Sequence, residues 1–252
     1  MTYTPTKLHK ILQSHSVPLV NRKTKEIATG LFLRFRNVHL VLTVHHAFCN
    51  TNPDDVLANL GISGQRYPMK KMDFWENTDL DLCFFRLDDF KVTTFSALSV
   101  PFEFRSRVNQ SGLTPNLRAA ICGFPSSRAS FDETTKTVSA RTFLNTTSFI
   151  LPERWPPNIT GKNPKDHFLL THGTKIGAYT LDEEGNPTNP EQPFGLSGAG
   201  VWLIDKTTEN AEKPIYSLFG IQTGYFRQPG LLCGSFINPM IDQIEKTYGT
   251  AA

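Results

Sequence analysis

Three short stretches of this chain hold side chains that could do chemistry together. Gly195-Leu196-Ser197-Gly198-Ala199-Gly200-Val201-Trp202 sets a serine between glycines. Such a turn lets backbone N–H groups converge on one point and lets a substrate come close. A serine hydroxyl is a poor nucleophile at neutral pH and needs a base to take its proton. Leu42-Thr43-Val44-His45-His46-Ala47 supplies two candidates at the end of an apolar run, His46 and its neighbour His45. Asp79-Leu80-Asp81-Leu82-Cys83-Phe84 supplies the third group. A carboxylate inside an apolar run is costly without partners, and a histidine would be a good one for Asp81. Asp79, at the edge of that run, reads as a turn residue. The chain order is base, acid, nucleophile, and only one of the three familiar serine-hydrolase designs runs that way. In that design the N–H groups of Gly195 and Ser197 would face the developing oxyanion. His45, His46 and Cys49 match no standard zinc spacing, so no metal is expected.

Together the motifs resemble those of the trypsin-like (chymotrypsin-fold) serine peptidases. The family's Leu-Thr-Ala-Ala-His-Cys is similar to Leu42-Thr43-Val44-His45-His46-Ala47, which points to His46 as the histidine. Its Asp-Ile-Ala-Leu-Leu is similar to Asp81-Leu82-Cys83-Phe84-Phe85, and its Gly-Asp-Ser-Gly-Gly-Pro to Gly195 through Gly200. Thr29-Gly30-Leu31-Phe32-Leu33, Gly123-Phe124-Pro125 and Gly220-Ile221-Gln222-Thr223-Gly224 also fit the group. The resemblance implies an all-β chain: two six-stranded antiparallel barrels with a catalytic triad of His46, Asp81 and Ser197 in the cleft between them. It implies a peptidase that acts on protein or peptide substrates and uses no cofactor. It further implies that Glu191 lies near the floor of the primary specificity pocket, beside Gln192 and Phe194. Gln222, Thr223 and Gly224 would then form the strand that binds the substrate backbone.

Departures from the family pattern carry information. Secreted zymogens free an ammonium that pairs with the aspartate before the nucleophile, and here that position is Leu196. No Ile-Val-Gly-Gly-like start occurs, so activation by N-terminal insertion is not expected. The disulfide cysteine beside the histidine is replaced by Ala47. These features resemble intracellular bacterial trypsin-like peptidases, in which a partner or effector controls activity. Ala199 stands where the family has glycine.

The chain has 252 residues, a formal charge of +3 and four cysteines, Cys49, Cys83, Cys122 and Cys233. That length suits one large domain or two small barrels. Basic residues come as short pairs such as Arg22-Lys23 and Lys70-Lys71 and form no stripe, which argues against nucleic acid. No apolar run of about 18 residues occurs, so no membrane span is expected. The first residues, Met1-Thr2-Tyr3-Thr4-Pro5, lack the pattern of a secretory signal. The cysteines are widely spaced and read as reduced thiols in a cytoplasmic protein. The sequons at Asn145 and Asn158 then carry no weight.

Strands are expected at 28–35, 39–44, 82–87, 118–122, 167–170, 200–204 and 216–223, from short β-branched and apolar runs bounded by turn residues. A first helix is capped by Thr4 with Pro5 next, burying Leu8, Ile11 and Leu12. A last helix is capped by Asn238, followed by Pro239; Ile241, Ile244 and Tyr248 share a face, and Gly249 ends it. The division is 1–26 as an N-terminal helical or extended segment, 27–100 as the first barrel and 101–117 as a connector within the weakly patterned stretch 88–115. Residues 118–236 form the second barrel and 237–252 the C-terminal helix.

Two other readings compete. An α/β-hydrolase needs its histidine after the serine, and none follows His172. A catalytically silent double barrel that binds a protein partner is the alternative from a different class.

Overall fold

The structure is a computed structural model. It describes residues 6–21, 23–47, 56–59, 66–68, 74–87, 100–101, 112–114, 116–132, 137–172, 179–182, 186–189, 192–207 and 215–249. Helix α1 (Thr6–His15) leads directly into β1 (Ser16–Asn21). β2 (Ile27–Phe35), β3 (Val38–Thr43), β4 (Val56–Asn59), β5 (Arg66–Pro68), β6 (Phe74–Asn77) and β7 (Leu82–Leu87) follow, with the short β8 (Val100–Pro101). These strands make one sheet in the order β5-β4-β1-β2-β3-β7-β6, with β8 parallel beside β2. β1 thus belongs to the first sheet, joined to β2 on one side and β4 on the other.

The second half begins with β9 (Leu117–Gly123) and the separate hairpin β10 (Ala129–Asp132) and β11 (Thr137–Ala140). It continues through β12 (Phe143–Thr147), β13 (Phe149–Ile150), β14 (His167–Thr171) and β15 (Tyr179–Leu181). β16 (Gly200–Asp205), β17 (Tyr216–Phe226), β18 (Leu231–Phe236) and α2 (Asn238–Tyr248) complete it. The second sheet runs β13-β14-β18-β17-β16-β9-β12-β15, with every pairing antiparallel. Each sheet has eight described strands where the sequence suggests six. The surplus comes from short pieces at the margins: β5, β8, β13 and β15 are two or three residues long.

Both faces of the central strands are buried, and they feed different cores. Leu31 and Leu33 of β2, Leu40 and Leu42 of β3, and Leu82 and Phe84 of β7 pack in a core shared with the second sheet. The intervening residues Phe32, Val41, Cys83 and Phe85 turn to a separate core of the first half. In the second half Ala120, Cys122, Trp202 and Ile204 enter the shared core, while Ala119, Ile121, Val201 and Leu203 line their own. The period of two fixes which core each side chain serves, and a slip of one residue would exchange them. Leu8 and Leu12 of α1, with Met240, Ile241 and Ile244 of α2, fill the remaining space in the shared core.

The helix ends differ in part from expectation. Thr4 and Pro5 lie outside the described residues. Asn238 does not cap α2 but is its first helical residue; Ile237 holds the cap position, with no side-chain cap bond. Ile237 is fully buried and its N–H donates to Phe219 O at 3.2 Å, so core packing starts this helix. Gly249 ends it, its N–H donating to Glu245 O at 2.7 Å. No described helix is long and apolar enough to cross a membrane.

Candidate active site

Register brings two of the three groups together. Thr43 of β3 pairs with Cys83 of β7, so stepping forward from Thr43 and backward from Cys83 meets His45 and His46 opposite Asp81. The chain leaves β3 in a short 3-10 turn, His45–Ala47, and enters β7 from a turn in which Asp81 has φ of 57°. A positive φ is uncommon for a residue with a side chain and is tolerated best by Asn and Asp. Three bonds hold it. His45 N–H donates to Asp81 O at 3.3 Å, and His46 N–H donates to Asp81 Oδ1 at 2.8 Å. His46 Nδ1 lies 2.6 Å from Asp81 Oδ2. Both carboxylate oxygens are thus spent on one histidine, which fixes its ring and leaves Nε2 as the other nitrogen.

The two histidines part company here. His46 lines both cavities that flank Ser197, whereas His45 lines neither and sits 3.2 Å from Glu76 Oε2. Asp79 is an exposed turn residue.

Ser197 projects from a turn whose backbone is bonded at nearly every point. Gly195 and Gly198 both have φ of 90°. A Cβ on Gly198 would fall 1.9 Å from Thr29 O and 2.3 Å from Thr43 Oγ1, so no other residue fits. Leu196 N–H donates to Pro193 O at 3.1 Å, Gly198 N–H to Gln222 O at 2.8 Å and Ala199 N–H to Leu196 O at 2.8 Å. Among the described residues the N–H groups of Gly195 and Ser197 make no hydrogen bond. The other side of each peptide is anchored: Ser126 N–H donates to Phe194 O at 2.7 Å, and Leu196 O is held by Ala199. In a trans peptide the N–H points opposite its C=O, so these two bonds set the directions of both free donors. Two oriented donors one residue apart suit a developing oxyanion.

The first sheet clamps this turn. Thr29 N–H donates to Ser197 O at 2.8 Å, and Thr29 Oγ1 donates to Gly195 O at 2.9 Å. The same hydroxyl accepts from Phe124 N–H at 3.0 Å, and Thr43 Oγ1 donates to Thr29 O at 2.8 Å. Thr29 and Thr43 fall within stretches that resemble the family's, but nothing in the sequence marks their hydroxyls as positioning groups, and Ser126 lies in no motif. Gly123 lets the segments meet: a Cβ there would lie 2.8 Å from Thr29 Oγ1 and 3.1 Å from both Ala199 Cβ and Leu196 Cδ2.

Leu196 and Ala199, the two departures in the serine motif, are fully buried. Ala199 has no positive φ, so the turn accepts its methyl group. Gln222 and Thr223 are buried and Gly224 is half-buried; with Pro193, Phe194 and Arg227 they line a cavity of about 290 Å³ beside Ser197. Gln222 Nε2 donates to Gly224 O at 2.9 Å. Gln192 is exposed and lines neither cavity, and Glu191 lies outside the described residues. On the other side of Ser197 a cavity of about 560 Å³ is lined by Leu19, Ile27, Ala28, Ala47 and Val56, with Glu26 at the polar end. Phe194, 54% exposed, borders both.

Cys83, Cys122 and Cys233 are buried free thiols, and Cys49 lies outside the described residues. Burial pushes Cys122 up to about 12. Cys83 is raised well above its ordinary value by burial first and then by the charges of Asp81 and Glu76. Neither is a nucleophile at neutral pH. Among the described residues no three His, Cys, Asp or Glu gather where a metal could sit.

No protein-family model and no curated protein matches the chain. Solved structures do. The scabies mite inactivated protease paralogue S-I1 superposes with a TM-score of 0.57 at 12% identity, over 95% of this chain and 97% of that one. The HtrA-type protease AlgW with a tripeptide gives 0.53 at 12% identity, over 95% of this chain and 63% of that one. The Vibrio cholerae VesB protease gives 0.52 at 12% identity, over 93% and 64%. This chain thus spans a little under two thirds of the AlgW and VesB chains. It has the fold of the trypsin-like serine proteases.

Proposed function

We propose that this chain is a serine endopeptidase that cleaves protein or peptide substrates through an acyl-enzyme. Ser197 Oγ attacks the scissile carbonyl carbon while His46 Nε2 takes its proton. Asp81 holds the imidazole in the required tautomer and stabilises its cationic form. The Gly195 and Ser197 N–H groups receive the oxyanion. His46 then gives its proton to the departing amine, and water repeats the sequence on the ester. The observation that carries this reading is the 2.6 Å His46–Asp81 contact, with His46 and Ser197 on the walls of the same two cavities. We further propose control by a partner or effector in the cytoplasm, supported by the buried Leu196 where a zymogen-activated relative needs an acid.

One observation favours a second reading, a silent double barrel that binds a protein. The Gly224 carbonyl, on the strand where the resemblance places substrate backbone, is already bonded to Gln222 Nε2. A fluorophosphonate probe separates the two. Labelling that disappears in Ser197→Ala and His46→Ala but persists in His45→Ala supports the peptidase. No labelling, alone or with a candidate partner, supports the binding module.

A further inference from the structure

We propose that the cavity beside Ser197 selects an acidic side chain, aspartate or glutamate, on the residue whose carbonyl is attacked, with Arg227 as its counter-charge; this rests on the peptidase reading above. Its described lining runs from His46 and Ser197 past Gln222 and Tyr225 to Arg227. It contains no carboxylate, and its one permanent charge is the Arg227 guanidinium. Arg227 opens the four-residue turn between β17 and β18. That turn is fixed by the Phe226–Leu231 pair and by Gly230 N–H donating to Phe226 O at 2.9 Å. The guanidinium therefore springs from a closed hairpin rather than a free loop.

Arg227 is exposed and, among the described residues, makes no hydrogen bond, ion pair or ring contact. Tyr225 on the same wall, by contrast, is engaged with the ring of His172. A cation at a cavity wall with all its donors unspent is matched by a carboxylate, which can take two of them at once. A lysine or arginine side chain would meet like charge there instead. Glutamine, the neutral isostere of glutamate, keeps the shape and loses the charge, so it is the sharpest comparison. Partial exposure limits the discrimination to about tenfold, falling as salt screens it.

The test reads binding, so it does not depend on turnover. Full-length Ser197→Ala protein is titrated by fluorescence anisotropy with labelled Ala-Ala-Pro-X peptides, X being Glu, Gln or Lys with a free C-terminus. Glu should bind about tenfold tighter than Gln, with Lys weakest. The Glu advantage should vanish in Arg227→Gln and pass to Lys in Arg227→Glu, with unchanged melting showing that these exposed-site variants fold. Equal affinities for Glu and Gln overturn the proposal, as does no binding of the Glu peptide at millimolar concentration. A preference for Lys that is lost in Glu191→Gln overturns it too, and restores the acidic floor suggested by the sequence. Fluorophosphonate labelling of the wild-type chain is read separately. Labelling without Glu selectivity sinks the pocket and keeps the peptidase; Glu selectivity without labelling does the reverse.

Discussion

Replacing Thr29 by valine removes one oxygen and keeps the shape. That oxygen donates to Gly195 O at 2.9 Å and accepts from Phe124 N–H at 3.0 Å, and Thr29 is fully buried. Thr29→Val thus leaves one buried acceptor and one buried donor unpaired, each costing about 1–3 kcal/mol. The predicted loss is about 2–6 kcal/mol in urea unfolding. For a chain of this size that lowers the melting temperature by at least about 4 °C. The loss has a second face, because the Gly195 carbonyl is one of the bonds that hold the serine turn. The fluorophosphonate labelling rate should fall more than stability alone explains, at a temperature where the variant is fully folded. Thr29→Ser restores the hydroxyl and should recover most of both. A Thr29→Val protein as stable as wild type, labelling at the wild-type rate, would refute the claim that the first sheet clamps the serine turn.

Other outcomes follow from the same contacts. Asp81→Asn keeps the packing but presents an amide to His46; under the proposed mechanism labelling should slow by about 10⁴-fold. Gly198→Ala forces a methyl group to within 1.9 Å of Thr29 O at a φ of 90°; urea unfolding should show a loss above about 4 kcal/mol, or no folded protein. Cys122 gives a pH signature. Its folded pKa of about 12 exceeds the unfolded thiol value near 9.0, so its contribution is complete below about pH 9 and is lost as pH rises toward 12. Over that window it removes about 1.4 kcal/mol per pH unit, and Cys122→Ala should flatten the measured slope by that amount.

What the sequence disclosed follows the physics of burial. The runs at 28–35, 39–44, 82–87, 118–122, 167–170, 200–204 and 216–223 are strands because both of their faces are buried, and unbroken apolar runs of that length stand out. β1 was hidden by Pro18, which reads against a central strand, yet Ser16–Asn21 lies between β2 and β4. β18 was hidden by Gly234, which sits where a Cβ would come 2.3 Å from Phe168 and so marks a close approach rather than a break. The hairpin of β10 and β11 gives little signal because each of its strands is only four residues long. In the site, chain order and motif spacing pointed to His46, Asp81 and Ser197. The choice of His46 over His45 becomes physical only in the structure, where one histidine has both oxygens of Asp81 and the other has Glu76.

What carries no sequence signal is the set of bonds between the two halves, even where their residues lie in quoted motifs. Ser197 and its donors belong to the turn that enters β16 of the second sheet, whereas Thr29 and Thr43, which hold that turn, belong to β2 and β3 of the first. His46 and Asp81 sit on turns of the first half, after β3 and before β7, and the Leu80 carbonyl beside them accepts from Ser235 Oγ of β18 at 2.6 Å. Each half therefore fixes the other's part of the site by direct hydrogen bonds. A small shift between the sheets would break the Thr29 bonds and misdirect the Gly195 peptide before it disturbed either separate core. Leu196 works in the same direction. Its side chain is fully buried, so packing adds to the hydrogen bonds that already hold the turn, and no charge is needed there. Under the proposed control by an effector, that effector would act on the contact between the sheets or on access to the cavities, not by supplying a charge beneath the serine.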